Sequence, residues 1–121
     1  MKKLSWVDVC NMGEALPGVA QDLYFGRPAL KVKGKFMILL RDDGENLVLR
    51  IDRDSRALLM EIAPDVFHII DHYRNYPAML IRIGKVKRAQ LRELLKQTWQ
   101  AQAPKAFLRQ LERERAAGGQ R

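Results

Sequence analysis

The stretch Ala29–Ile51, "ALKVKGKFMILLRDDGENLVLRI", constrains the fold more than any other part of the chain. It is extended sequence that reverses twice within a few residues, first at Gly34 and again at Asp43-Gly44. Strands joined by such short turns pair antiparallel, because a parallel partner needs a crossover of a dozen residues or more. Leu30 and Val32 alternate with Lys31 and Lys33, so one face of the first strand looks inward and its lysines look out. "FMILL" breaks that alternation with a continuous apolar run, as expected of a central strand covered on both faces. "LVLRI" then returns as the next strand.

Elements of other kinds flank this meander. "SWVDVCNMGEAL" predicts a helix, with Ser5 as cap and Asp8 three residues on where a capping-box acid belongs. Leu16-Pro17-Gly18 stops it, and Val19–Phe25 reads as a strand ended by a turn or edge break at Gly26-Arg27-Pro28. "DRDSRALLMEIAPD" predicts a short helix capped by Asp52, Asp54 or Ser55. "VFHII" is a short extended piece, "DHYRNYP" a turn region, and Ala78–Ile83 another apolar strand. Val86–Gln100 gives the clearest helical signal: Leu91, Leu94, Leu95, Thr98 and Trp99 form one stripe, and Arg88, Arg92 and Lys96 another at i, i+4, i+8. Pro104 begins a last helix that frays over about residues 115–121. There is no internal repeat and no linker. The order predicts a single α+β domain over residues 1–121, with a mainly antiparallel sheet packed against helices.

Composition narrows the function classes. The net charge of +8 over 121 residues is unevenly spread. Residues 1–73 hold 10 Lys/Arg against 11 Asp/Glu, and residues 74–121 hold 12 against 3. An excess confined to the last two-fifths of a chain suits a polyanionic partner. No window approaches the ~18 apolar residues of a membrane span, and the start lacks an apolar signal segment. The single cysteine, Cys10, cannot form an internal disulfide, which suits a reducing compartment and a cytoplasmic location.

Several landmarks occur together in order: Leu16-Pro17-Gly18, Gly26-Arg27-Pro28, Lys33-Gly34-Lys35, Phe67, His72-Tyr73, Tyr76-Pro77, Trp99 and Ala103-Pro104-Lys105. In these the chain, from Trp6 to about Leu108, resembles the MmcQ/YjbR family, whose members are usually described as predicted DNA-binding proteins. The resemblance implies a fold similar to the frataxin/CyaY-like superfamily (the "double wing" type), and it carries no catalytic motif. Many members place a tryptophan where this chain has Pro77-Ala78.

Arg82, Lys85, Lys87, Arg88, Arg92 and Lys96, interrupted only by Glu93, are the leading candidate site. Cations in such a row neutralise phosphates and release counterions, giving salt-dependent and largely sequence-blind binding to nucleic acid, in the first instance double-stranded DNA. Read structurally, the same row is a solvated helix face. Arg27, Lys31, Lys33, Lys35 and Arg41 form a second patch, either a wing against the duplex backbone or edge protection for the sheet. His68 and His72 have helical ligand spacing, but strand and turn would part their rings, so no metal site is expected. Tyr73 and Tyr76 could stack on bases, although packing against the turn is the commoner role. No G-x-S-x-G, phosphate loop or Cys-His pair points to an enzyme, and neither catalytic residues nor a cofactor are expected.

The expected activity is therefore non-catalytic DNA binding through the phosphate backbone. The alternative is a protein-interaction module with a solvated basic face. Both basic patches on one continuous face would favour the first, and an exposed apolar patch beside the charges the second. A small-ligand protein would instead need a pocket near His72, Tyr73 and Tyr76.

Overall fold

A computed structural model of the protein describes residues 3–119. The meander forms as four consecutive strands, β1 (Val19–Tyr24), β2 (Arg27–Val32), β3 (Lys35–Leu40) and β4 (Asn46–Arg50). Two of its reversals are two-residue turns in which both central residues are left-handed: Phe25 (φ 51°) with Gly26 (φ 79°), and Lys33 (φ 50°) with Gly34 (φ 76°). That geometry matches the right-handed twist of the strands it joins. The first reversal lies one residue earlier than the sequence suggested, and Arg27 and Pro28 belong to β2. Pro28 fits there because β2 begins pairing with β3 only at Ala29↔Leu39, so its missing N–H interrupts no bond on that side.

α1 (Trp6–Glu14) starts at the expected capping box, with the Ser5 hydroxyl accepting from the Asp8 N–H and the Ser5 N–H donating to Asp8 Oδ2. α2 (Arg53–Ile62) is capped by Asp52, which accepts from the Ser55 N–H. β5 is only Phe67–His68, and a 3-10 turn at Asp71–Tyr73 leads into β6 (Ala78–Arg82). α3 spans Arg88–Gln102 and α4 Lys105–Gly119. α4 thus continues past residue 115, where the sequence suggested fraying, while Gln120 and Arg121 lie outside the described residues.

The six strands form one sheet, every neighbouring pair antiparallel, in the order β1-β2-β3-β4-β6-β5. β6 enters between β4 and β5. On one face Leu30, Val32, Met37, Ile38, Leu47, Leu49, Met79 and Ile81 meet α1 and α3, with Val9, Met12, Leu91, Leu94, Leu95 and Trp99 closing the core. A bulge in the β2–β3 pairing at Leu30/Lys31 lets both Met37 and Ile38 point to this side, which accounts for the unbroken run in β3. Trp99 is fully buried and its Nε1 donates to the Pro17 carbonyl at 2.8 Å, tying α3 to the turn after α1. Gly18 (φ 76°) completes that turn, and Phe107 of α4 lies where a Cβ would stand, 2.2 Å from its Cε2. The turn therefore needs glycine twice over, for its backbone and for the close approach.

The opposite face carries a second, smaller cluster of Ala29, Leu39, Val48, Ala78 and Leu80. The apolar side chains packed on it, Tyr24, Phe36 and Tyr73, come from the sheet itself and from the 3-10 turn.

Candidate functional site

The second basic patch of the sequence is split between the two sides of this sheet, so it does not form one continuous face with the helix row. Directly opposed residues in an antiparallel pair share a face, and faces alternate along each strand. Leu30 and Val32 face the helices, so Arg27 and Lys31 face away from them, beside Ala29. The turn brings Lys33 back to the helix layer, where its Nζ lies 5.6 Å from the centre of the Phe107 ring. Lys35 opposes Val32 and so shares the helix-layer side. The hairpin patch is thus divided rather than continuous with the helix.

Several of these cations already have partners. Arg27 makes two 3.1 Å contacts with the Asp42 carboxylate and thereby holds it below the usual carboxylate range. Lys31 pairs with Asp22 at 3.3 Å and lies 5.7 Å from the centre of the Tyr24 ring. Arg82 donates to the carbonyls of Pro64 and Asp65, so its guanidinium anchors the segment between α2 and β5. Arg88 reaches Asp8 at 3.5 Å. The Ser5 backbone N–H first, then its hydroxyl, and then Arg88 hold the Asp8 carboxyl below its ordinary value.

The remaining cations of the lead row converge. Arg88, Arg92 and Lys96 lie along one side of a groove of about 440 Å³ between α1, α3 and α4, with Asn11, Leu111 and Arg115 among its other walls. Glu93 is its single carboxylate, and among the described residues Arg92, Lys96 and Arg115 form no ion pair. Lys85 and Lys87 stand exposed at the entry to α3. The helical spacing found this row, whereas Arg115 joins it through packing of α4 that the sequence alone did not indicate.

A second concavity, of about 540 Å³, opens on the helix-free face of the sheet. Its floor is Leu39, Val48 and Ala78, and the walls are two aromatic groups. Tyr24 stacks on Phe36 with centroids 4.7 Å apart, and Phe25 meets Tyr24 edge-on. Across from them, His72 packs edge-on to Tyr73 and lies 6.0 Å from Tyr76. Arg56 of α2 holds this second wall: buried, it donates to the carbonyls of Tyr73, Arg74, Tyr76 and Ala78. A pocket at His72, Tyr73 and Tyr76 is thus present, assembled from segments far apart in sequence.

His68 lies in β5 and His72 in the 3-10 turn, and no group of three potential metal ligands occurs among the described residues. Burial, followed by the nearby Arg82 and Arg41, pushes the His68 imidazole below its ordinary value. Cys10 is buried in α1, and burial raises its thiol, so it is a packed rather than an activated cysteine. No helix among the described residues is long and apolar enough to cross a membrane.

These features define a small α+β domain with helices on one face of an antiparallel sheet, a cationic groove in the helix layer, and an open aromatic face behind it. The YjbR family model matches residues 14–101, and the chain belongs to that family. It is 32% identical over 57 residues to the uncharacterised proteins Rv2570 of Mycobacterium tuberculosis and Mb2600 of Mycobacterium bovis, a match that spans 47% of this chain and 44% of theirs. The chain therefore covers less than half the length of these curated relatives. The crystal structure of the Deinococcus radiodurans protein DR2400, a DUF419 domain, superposes with a TM-score of 0.66 at 20% identity, over 78% of this chain and 75% of that one. That likeness establishes the shared fold.

Proposed function

We propose that the protein is a non-catalytic nucleic-acid-binding domain that holds duplex DNA by its phosphate backbone through the helix layer. The observation that carries this reading is the alignment of Arg88, Arg92 and Lys96 with Arg115 along one groove that contains a single carboxylate. Lys33 lies on the same helix-layer side, whereas Arg27 and Lys31 lie behind the sheet and take no part. Arg92, Lys96 and Arg115, which form no ion pair among the described residues, are free to exchange counterions for phosphates, and Arg88 would do so by leaving Asp8.

The test is fluorescence anisotropy on a random-sequence duplex over a salt series, with the Arg88→Ala/Arg92→Ala/Lys96→Ala variant alongside. Each lost phosphate contact flattens the slope of log K against log salt by about 0.9. Three such contacts predict a variant slope shallower by about 2.7. Equal slopes, or no binding at low salt, would remove the proposal.

A second reading, a protein-interaction surface, is favoured by Leu58 and Ile62, which lie one turn apart on α2 and are 57% and 67% exposed. Anisotropy that stays flat while Leu58→Ser/Ile62→Ser abolishes capture of a protein partner would establish that reading instead.

A further inference from the structure

We infer that the open face of the sheet is a second binding site, one that takes a nucleotide: a planar aromatic base with an adjoining phosphate. The inference does not rest on the duplex reading, since the two surfaces lie on opposite sides of the sheet.

Three observations converge on it. The first is shape. Ala78 and Val48 leave a hollow of about 540 Å³ between the Tyr24–Phe36 stack and the Tyr73–Tyr76 segment, within the range of small-molecule sites. Flat walls of this kind favour stacked rings, and stacking tolerates any base.

The second is Phe25. It occupies the first central position of a tight turn at φ 51°, a conformation suited to Asn or Gly and costly for a bulky side chain. The residue is also 85% exposed at the rim of the hollow, its ring edge-on to Tyr24. Neither the turn nor the core benefits from phenylalanine here, whereas a stacked ligand would.

The third is charge. No carboxylate lines the hollow, and Arg50 on its wall has no ion pair or side-chain hydrogen bond among the described residues. A half-buried arginine whose side chain has no partner among the described residues, beside apolar walls, fits a phosphate next to a stacked ring.

Free nucleotides and unpaired nucleotides of a single strand share this chemistry, and one experiment separates them. The full chain is titrated, with aromatic and amide NMR shifts as readout, against the four ribonucleoside monophosphates, the corresponding nucleosides, inorganic phosphate, and a random-sequence single-stranded octamer. At least one monophosphate should shift the Tyr24, Phe36, Tyr73 and Tyr76 resonances and bind more tightly than its nucleoside or phosphate alone. An octamer that binds the same resonances more tightly identifies the strand as source, and otherwise the free nucleotide is the ligand. Phe25→Asn suits the turn better, so it should keep or raise the melting temperature while weakening binding about ten-fold. Arg50→Gln should remove the preference of monophosphate over nucleoside. Absence of shifts at millimolar ligand, shifts confined to α3 and α4, or unchanged binding in Phe25→Asn would overturn the inference.

Discussion

Arg56 offers the sharpest test of how the open face is held together. It is the one buried residue of α2, and its guanidinium makes no ion pair among the described residues. Its Nη1 lies 3.1, 2.8 and 3.1 Å from the carbonyl oxygens of Tyr73, Tyr76 and Ala78, and Nη2 lies 3.2 Å from that of Arg74. Nη1 has two hydrogens for three acceptors, so one is shared and the group makes about three effective bonds. At about 1.5 kcal/mol each, the low end for a charged donor, these sum to about 4–5 kcal/mol. Releasing a buried guanidinium from its desolvation cost returns part of that when Met fills the space, leaving a net loss of about 3 kcal/mol for Arg56→Met. For a domain of this size that is a fall of about 12 °C in melting temperature. Arg56→Lys presents one ammonium instead of a fork and should recover less than half. Urea denaturation followed by tryptophan fluorescence measures both variants. A loss below about 1 kcal/mol in Arg56→Met, or full recovery in Arg56→Lys, would show that the four carbonyls are satisfied by water and that Arg56 does not fix this wall.

Two further outcomes follow from the geometry. Gly18→Ala should cost about 3 kcal/mol, from the left-handed backbone together with the Phe107 clash, and only about 1 kcal/mol when Phe107 is also alanine; equal costs in both backgrounds would mean that α4 does not press on this turn. His68 resists protonation when folded, so the unfolded state binds more protons as pH falls below its ordinary value, and stability should decline from about pH 6.5 downward. His68→Leu also removes an Nδ1 that has no hydrogen-bond partner among the described residues and should flatten that part of the stability profile, while an unchanged profile would assign the acid sensitivity to other groups.

Local pattern made most of the fold readable. The capping box at Ser5 and Asp8, the α3 stripe from Leu91 to Trp99 and the glycine turn at Gly34 are short-range signals that appear where their spacing placed them, while the turn at Gly26 is displaced by one residue. Three features were not readable. Insertion of β6 between β4 and β5 is a matter of long-range pairing, which the short extended reading of Val66–Ile70 did not indicate. Arg56 has the sequence setting of a solvated helix arginine, and only the fold of the 73–78 segment buries it. The open cleft draws on β1, β2, β3, β4 and the segment before β6, so no window of sequence contains it.

The cations of this chain show why regular spacing gathers side chains on a helix and divides them on a strand. On α3, residues four apart share a face, so Arg88, Arg92 and Lys96 arrive at one groove as their spacing requires. On β2 and its turn the period is two, and a turn or bulge resets the phase. Arg27 and Lys31 therefore go behind the sheet, while Lys33 and Lys35 return to the helix side. A run of cations in extended sequence is thus divided between two surfaces by the alternation that also makes one face apolar enough to bury. Here that division leaves the helix layer with the cationic groove, and the other face with aromatic rings and an Arg50 that has no ion pair among the described residues. One thin sheet can in this way present two chemically different surfaces, each built without compromising the core between them.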